Sequence, residues 1–383
     1  MSLPSKIAIF SHDIDGTTSA CAGLISYLIK NKVRSVTVCK FPFIHSVDGS
    51  IKIRLYRRGR LIKEQKSLIK FYRPECLSYI KDIIVGVVYG LKFCRASDLF
   101  VGTPNILVLV GLLLKKMGIV KRVVYYQIDY TPIRYKNRFL NNLYFLIDKY
   151  VCYKCDEVWS LTQEMISKKS EDKGWDINKI KYRLVPIGND SDRFKTIDWS
   201  KCVDNRIIYF GGIYKNKGAE LFVPIAKSLI KRNFKSFIIE CLGGGEVDDL
   251  KNEIKKNHLE KYFIVHGQIE NKEDAENIMQ KGAIALAPYY PEDRNNFSYY
   301  SDPGKIKDYL ACGLPVVATA VPPIAKLLEA KGVGLISAYD PNAFAGSIIS
   351  LLSNKRTLMD TKRKARNLGL AYSWNNIFKT VFH

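Results

Sequence analysis

Three things are scarce in this chain, and each scarcity removes a class of protein. Long apolar runs are absent: the two longest, residues 83–91 and 106–114, fall well short of the roughly 20 residues that cross a bilayer. The first five residues lead straight into a strand-like run at 6–10, so no secretory leader is read there. Cysteines show no pairing pattern. Nine are scattered, an odd number, as suits a reducing compartment. Cys152 and Cys155 form one CxxC without the second pair that a structural zinc site needs, and read as helix cysteines. Acidic residues are the third shortage: 37 Asp and Glu stand against 60 Lys and Arg, a formal net charge of +23. That balance calls for an anionic partner, whether nucleic acid, a membrane surface or a phosphorylated substrate. No nucleic-acid motif and no regular aromatic–basic interleaving accompanies it, so nucleic acid is not the expected partner. A cytoplasmic protein, soluble or peripheral on the inner face of a membrane, is the expectation.

Part of the charge is local. Lys52, Arg54, Arg57, Arg58, Arg60, Lys63, Lys66, Lys70 and Arg73 share one stretch in which Glu64 is the one acid, with Leu61, Ile62, Leu68, Ile69, Phe71 and Tyr72 between them. Two readings stand: a solvated face beside a core, or a basic amphipathic element on anionic lipid, each cation contributing about 1 kcal/mol near the surface.

The remaining 47% apolar composition describes a globular chain, and 383 residues suit two cores better than one. Strand-like runs at 6–10, 35–39, 99–102, 122–127, 157–161 and 182–186 alternate with helical stretches at 17–30, 106–117 and 138–155. A polar stretch at 196–205 reads as a linker, and the alternation then restarts with strands at 206–210, 237–242, 262–266, 283–287, 315–319 and 334–337. The pattern predicts an α/β fold of two Rossmann-like domains, residues 1–198 and 205–371, with a last helix at 372–383 and a ligand cleft between the two.

Two segments carry candidate chemistry. Residues 301–319 read SDPGKIKDYLACGLPVVAT. Asp302-Pro303-Gly304 opens a helix that Gly313 ends, and a buried strand follows. Free N–H groups at the helix start, with Gly304 allowing close approach and Lys305 adding a cation, suit a phosphate. Asp308, three residues on, shares a helix face with Lys305 and would accept the hydroxyl protons of a ribose. Residues 209–220 read YFGGIYKNKGAE: a strand runs into Gly211-Gly212, and a short loop carries Lys215 and Lys217 before Gly218 and a helix. Each segment alone also fits an ordinary capped helix or surface loop.

Together, and in order, Lys217-Gly218, Gly243 to Gly245, His266-Gly267, Asp308 and YLACGLPVV resemble the second domain of the family-4 glycosyltransferases of GT-B architecture. Val185-Pro186-Ile187-Gly188-Asn189-Asp190 with Phe194 is similar to the family's end of the first domain, and Tyr372-Ser373-Trp374 to its last helix. The resemblance implies a nucleotide-diphosphate-sugar donor, a glycan or lipid-linked glycan acceptor, retention of anomeric configuration and no bound metal. It implies that Lys217 holds the diphosphate and Asp308 the ribose. Gly304 and Lys305 would approach the phosphates or the sugar, with Gly211, Gly212, Lys215, Gly243 and Gly244 lining the donor and Gly16 closing over it. The sequence departs from the family at four places, one of them Asp308 itself, which is shorter than the glutamate usual there. Gly212 stands where an arginine is common, leaving Lys215 as its replacement. Tyr300 stands where the first acid of a pair is expected, with Asp302 out of register. No histidine follows the strand at 122–127, so Asp129 is the substitute candidate.

One alternative rests on Asp13-Ile14-Asp15-Gly16-Thr17, which fits the DxDGT signature of haloacid-dehalogenase-like phosphatases. Against it, the strand at 6–10 ends early, and Asp248-Asp249 falls on a helix instead of a strand end. The other is a non-catalytic basic nucleic-acid-binding protein.

Overall fold

The computed structural model describes residues 3–13, 19–42, 49–67, 75–193, 196–203 and 205–382. It divides into two compact units, Met1–Pro186 with Trp374–His383, and Ile187–Ser373. In the first unit the described elements are β1 (Lys6–Asp13), α1 (Ala20–Lys30), β2 (Ser35–Pro42), β3 (Lys52–Arg57), β4 (Arg60–Lys66), α2 (Glu75–Phe93), β5 (Leu99–Thr103), α3 (Asn105–Lys116), β6 (Val123–Gln127), α4 (Arg138–Lys154), β7 (Glu157–Ser160), α5 (Gln163–Lys173) and β8 (Tyr182–Leu184). The strands lie in the order β4-β3-β2-β1-β5-β6-β7-β8. Along β2-β1-β5-β6-β7-β8 neighbours run parallel, whereas β3 is antiparallel to both β2 and β4. Ile7, Ala8, Ile9 and Phe10 are all buried, as are every residue of β5 and β6, because central strands of a parallel sheet are covered on both faces.

The second unit holds β9 (Arg206–Phe210), α6 (Phe222–Lys231), β10 (Ile238–Leu242), α7 (Val247–Lys256), β11 (Phe263–Gly267), α8 (Lys272–Met279), β12 (Ile284–Ala287), α9 (Gly304–Ala311), β13 (Val316–Ala318), α10 (Ile324–Ala330), β14 (Gly334–Ile336), α11 (Pro341–Leu352) and α12 (Lys355–Ala371). Its sheet is wholly parallel, in the order β11-β10-β9-β12-β13-β14. Successive strands step outward one way from β9 and then the other way from β12, the doubly wound Rossmann pattern. The last helix, α13 (Trp374–Phe382), is part of the first unit.

Several sequence boundaries shift. β1 runs three residues past the expected end at 10 and carries Asp13, because Ser11, His12 and Asp13 continue the ladder to Lys40, Phe41 and Pro42 of β2. The strand-end objection to the DxDGT reading therefore falls, while Asp15, Gly16 and Thr17 lie outside the described residues. α1 starts at Ala20 instead of 17, since the Ser19 hydroxyl caps it by accepting the Ala22 N–H at 3.1 Å. Within the basic stretch, residues 52–66 form a β-hairpin, so the amphipathic element is a strand pair and not a helix. Ile53 turns inward while β4 is exposed almost throughout. Residues 68–74, with Lys70 and Arg73, lie outside the described set.

The linker is not the boundary. Residues 187–193 belong to the second unit: Ile187 N–H donates to Asp302 at 2.9 Å, and the Asn189 amide donates to the carbonyls of Lys307 (3.1 Å) and Gly369 (2.8 Å). The division sits at Pro186 because these long-range bonds outweigh the local polarity of residues 196–205.

α13 joins the first unit through aromatic packing. Phe378 and Phe382 lie 5.5 and 6.0 Å from the Tyr27 ring, and 6.5 and 5.9 Å from Trp159. Trp374 lies flat over Gly23, where an added Cβ would come within 2.3 Å of the indole. Gly23→Ala should destabilise the first unit by about 1–3 kcal/mol through overpacking. An unaltered urea midpoint would refute this packing.

Candidate functional site

The doubly wound order of the second unit makes a crevice at the carboxyl ends of β9 and β12, where the strand order reverses. Chain geometry fills it with cations. After β9 the chain passes Gly211 and Gly212 into a single turn, Lys215–Lys217, which Gly218 ends with φ +80°. Any Cβ at Gly218 would lie 1.7 Å from the Pro288 carbonyl oxygen, so glycine alone lets this turn rest on the end of β12. Lys217 Nζ thereby donates to Ser298 Oγ at 2.6 Å and stands 5.4 Å from the Tyr289 ring centre. From the start of α9, Lys305 Nζ stands 4.3 Å from the Tyr209 ring and 4.5 Å from the same Tyr289 ring. The two sequence segments thus meet on Tyr289.

The electrostatics are one-sided. Burial, and then the charge of Lys217, pushes the Lys305 ammonium well below the usual lysine range; burial alone lowers Lys217. Among the described residues neither lysine has a carboxylate partner. The N-cap of α9 is Pro303, and no side chain caps the start of the helix beside Lys305. Gly304 keeps this end open: a Cβ there would touch only Ile187, at 3.3 Å.

The glycine-rich turns are bonded to one another through their backbone. Gly211 N–H bonds the Leu242 carbonyl, Gly243 N–H the Gly267 carbonyl and Gly244 N–H the Gln268 side chain. These amides are spent in zipping together the ends of β9, β10 and β11. Gly243, at φ +149°, is glycine because its Cβ would sit 2.0 Å from the Gly211 oxygen. Gly212 abuts the Tyr214 ring. Lys215 is exposed and 3.7 Å from Glu220, turned from Lys217 towards α6.

α9 is held in place by Tyr309, whose hydroxyl accepts the Phe210 N–H at 2.6 Å and meets the carbonyls of Phe210 and Leu286, both at 3.2 Å. Asp308 is buried and pairs with Lys272 at 3.0 Å, which also bonds Asp190 at 3.2 Å. Burial raises the Asp308 carboxyl, and Lys272 works against it; Lys272 itself is raised by the two acids despite its burial. Alongside, Arg193 makes a two-pronged bond to Glu276 at 2.7 and 2.8 Å. Lys305 and Asp308, placed on one face by their spacing, share no neighbour among these contacts. Asp302 is structural: it accepts the Ile187 N–H and pairs with Lys307 at 3.3 Å, so it does not replace the acid missing at Tyr300. Asp129, in the other unit, is engaged by Arg134 at 3.0 Å. Gly16 and Phe194 lie outside the described residues.

Sequence reasoning missed Tyr289 as the shared platform, Lys272 as the partner of Asp308, and Ser298 as the partner of Lys217. The signal for Tyr289 was its position two residues past a buried strand, in Pro288-Tyr289-Tyr290-Pro291. Cys152 is buried against Lys169 at 3.3 Å, and among the described residues no group of three or more His, Cys, Asp and Glu is placed to hold a metal ion.

Residues 204–354 match the family model of glycosyl transferases group 1. The fold is GT-B. Sucrose-phosphate synthase from Thermosynechococcus elongatus superposes with a TM-score of 0.73 at 16% identity, covering 98% of this chain and 97% of that one. Anabaena HepE, solved in complex with UDP, gives 0.69 at 13% identity over 98% of each chain. The Candida albicans trehalose-6-phosphate phosphatase N-terminal domain gives 0.69 at 12%, covering 100% of this chain and 96% of that one. No curated protein sequence matches.

At the lysine pair of this GT-B chain, anion binding should be proton-linked. Burial and Lys217 depress the Lys305 ammonium, and a bound pyrophosphate would raise it again with proton uptake, so affinity should fall as pH rises through the depressed pKa. Calorimetry in two buffers of different ionisation enthalpy reads the uptake. Lys305→Met should reduce it and weaken binding about tenfold or more; uptake unchanged by the substitution would place the titrating group elsewhere.

Proposed function

We propose that this protein is a family-4 glycosyltransferase of the hexosyltransferase type. It would move a sugar from a nucleotide-diphosphate donor to a glycan, free or lipid-linked, with retention. The observation that carries the reading is the meeting of Lys217 and Lys305 on Tyr289, without a carboxylate partner among the described residues, at the strand-order reversal. The match of residues 204–354 to glycosyl transferases group 1 and the UDP held by HepE support a nucleotide-sugar donor.

In this reading the diphosphate lies against the two ammonium groups and the open start of α9, and Asp308 with Lys272 faces the ribose. The bond from the sugar C1 to the diphosphate oxygen breaks while the acceptor oxygen bonds C1 from the same side. The acceptor proton passes to the leaving phosphate oxygen. Positive charge at that oxygen is then the main lever on the rate, since it grows in worth as negative charge develops there.

The lipid-linked acceptor draws support from surface chemistry in the first unit. α2 exposes Leu77, Ile80, Ile84 and Val88 along one stripe, and α4 exposes Phe139, Leu143, Leu146 and Tyr150 along another. Both helices pack on α3, and the hairpin adds exposed Leu61 and Ile62 among its cations. Apolar stripes rimmed by positive charge suit an anionic bilayer, the inner face of the plasma membrane in a cytoplasmic setting. No helix among the described residues is long and apolar enough to cross it.

Thermal-shift screening against UDP, GDP, dTDP and CMP with their sugars should find one donor, stabilising by about 2.7 kcal/mol at a hundredfold excess over Kd. Lys217→Ala and Lys305→Ala should each lower kcat by about a hundredfold, the scale of losing one transition-state donor. Asp308→Ala should act chiefly through the donor KM. Unchanged kinetics in all three would overturn the site. Asp13→Asn should leave transfer intact; loss of phosphate-ester hydrolysis instead would favour the phosphatase reading.

A further inference from the structure

A second cationic centre lies in the first unit, at the amino-terminal ends of β1 and β2. It is a cavity of about 870 Å³ whose lining includes no acidic residue. Lys6 stands at the start of β1, with Lys32 and Arg34 in the turn between α1 and β2. The hairpin tip contributes Arg57, Arg58 and Arg60, and the end of α2 adds Lys92 and Arg95.

The walls are fixed by backbone bonds. Arg58 N–H donates to the carbonyls of Val33 (3.0 Å) and Arg34 (3.4 Å), tying the hairpin tip to the α1–β2 turn. That bond holds Arg58 in the left-handed region at φ 47°, with Lys32 at φ 52° across from it. The Thr37 hydroxyl donates to the Phe93 carbonyl at 3.2 Å and closes the end of α2 onto β2. The neighbouring carboxylates are already taken. Asp98 is bound by Lys121 at 2.8 Å, by Ser5 and by the Lys6 N–H, which hold its carboxyl down to about 2. Glu64 is bound by Arg54 at 3.0 Å. Cations gathered by fixed turns, with the local acids engaged elsewhere, repel one another until an anion enters.

We propose that this cavity is an anion-binding site, separate from the lysine pair of the second unit, that takes a ligand carrying clustered phosphates. Its volume exceeds that of one phosphate, and three arginines on one turn offer the forked donors that grip phosphate oxygens in pairs. Free polyphosphate and a phosphorylated lipid headgroup share that chemistry.

The test titrates tripolyphosphate into the full chain. It uses the hairpin variant Arg57→Gln/Arg58→Gln/Arg60→Gln, the opposite-wall variant Lys92→Gln/Arg95→Gln, and Lys217→Met/Lys305→Met. Two classes of site are expected in the wild type. Both cavity variants should weaken the same class by about tenfold or more, and the lysine variant only the other. Raising NaCl from about 50 to about 300 mM should weaken the cavity class steeply. All substituted cavity residues are exposed, and unchanged melting curves check the fold. In a second arm, flotation with vesicles of phosphatidylcholine plus phosphatidic acid separates the sources. Flotation lost in both cavity variants assigns a lipid phosphate, and tripolyphosphate binding without flotation assigns a free one. The proposal falls if neither probe binds, if the cavity variants bind as the wild type does, or if duplex DNA alone is retained by these residues.

Discussion

Positive charge held at the end of a parallel sheet, without a carboxylate partner among the described residues, is the constraint around which the second unit is organised. Lys305 and Lys217 are shielded from water enough to depress both ammonium groups, and the surrounding groups that hold them are aromatic rings and a hydroxyl. A cation over an aromatic face recovers roughly 0.5–2 kcal/mol, less than full hydration would. The arrangement is therefore a poised one: it is stable because the rest of the unit is rigid, and it gains most when an anion arrives. A site of this kind needs its backbone fixed beforehand, which is what the zipped glycine turns and the three contacts of the Tyr309 hydroxyl provide.

The acids of the same region are spent on that rigidity. Asp302 with Lys307 ties residue 187 to α9, and Asp308 with Lys272 and Asp190 ties α8 to α9. Removing one member of such a buried pair leaves an uncompensated charge and typically costs about 3–5 kcal/mol. Asp308 thus has two duties in the proposed reaction, holding the helix and meeting the ribose, and its loss would be felt in stability as well as in donor binding. Asp302 has only the first.

Much of this was legible in the order of short motifs. The run of strand, glycines, Lys217-Gly218, Gly243 to Gly245 and residues 301–319 pointed to two segments that the fold brings together on Tyr289, because each motif is local and sits at a strand end. What was not legible depends on contacts far apart in sequence. Tyr289 joins Lys217 to Lys305 only after β12 is laid beside β9. The spacing of Lys305 and Asp308 suggested a shared face, yet the neighbours supplied by β9 and α8 give each a different environment. The hairpin was hidden because Lys and Arg occupy both faces of β3 and β4, which erases the apolar alternation that normally reveals a strand. The boundary at Pro186 was hidden for a related reason: residues 196–205 are polar, but residue 189 bonds to carbonyls at 307 and 369.

The two cationic centres differ in physical kind, and the difference bears on what each can do. The lysines of the second unit are few, half-buried and depressed in pKa, so an anion bound there would be coupled to proton uptake. The cavity at the hairpin is open and lined by several arginines, so affinity there would be governed by screening and by geometry. A catalytic centre needs the first kind, because charge stabilisation must be strongest at the transition state, where water is excluded. A site that recruits or anchors needs the second, because it must capture its ligand from solvent and release it. The excess of +23 is therefore more than a bulk property of the chain: part of it is divided between a place suited to chemistry and a place suited to capture.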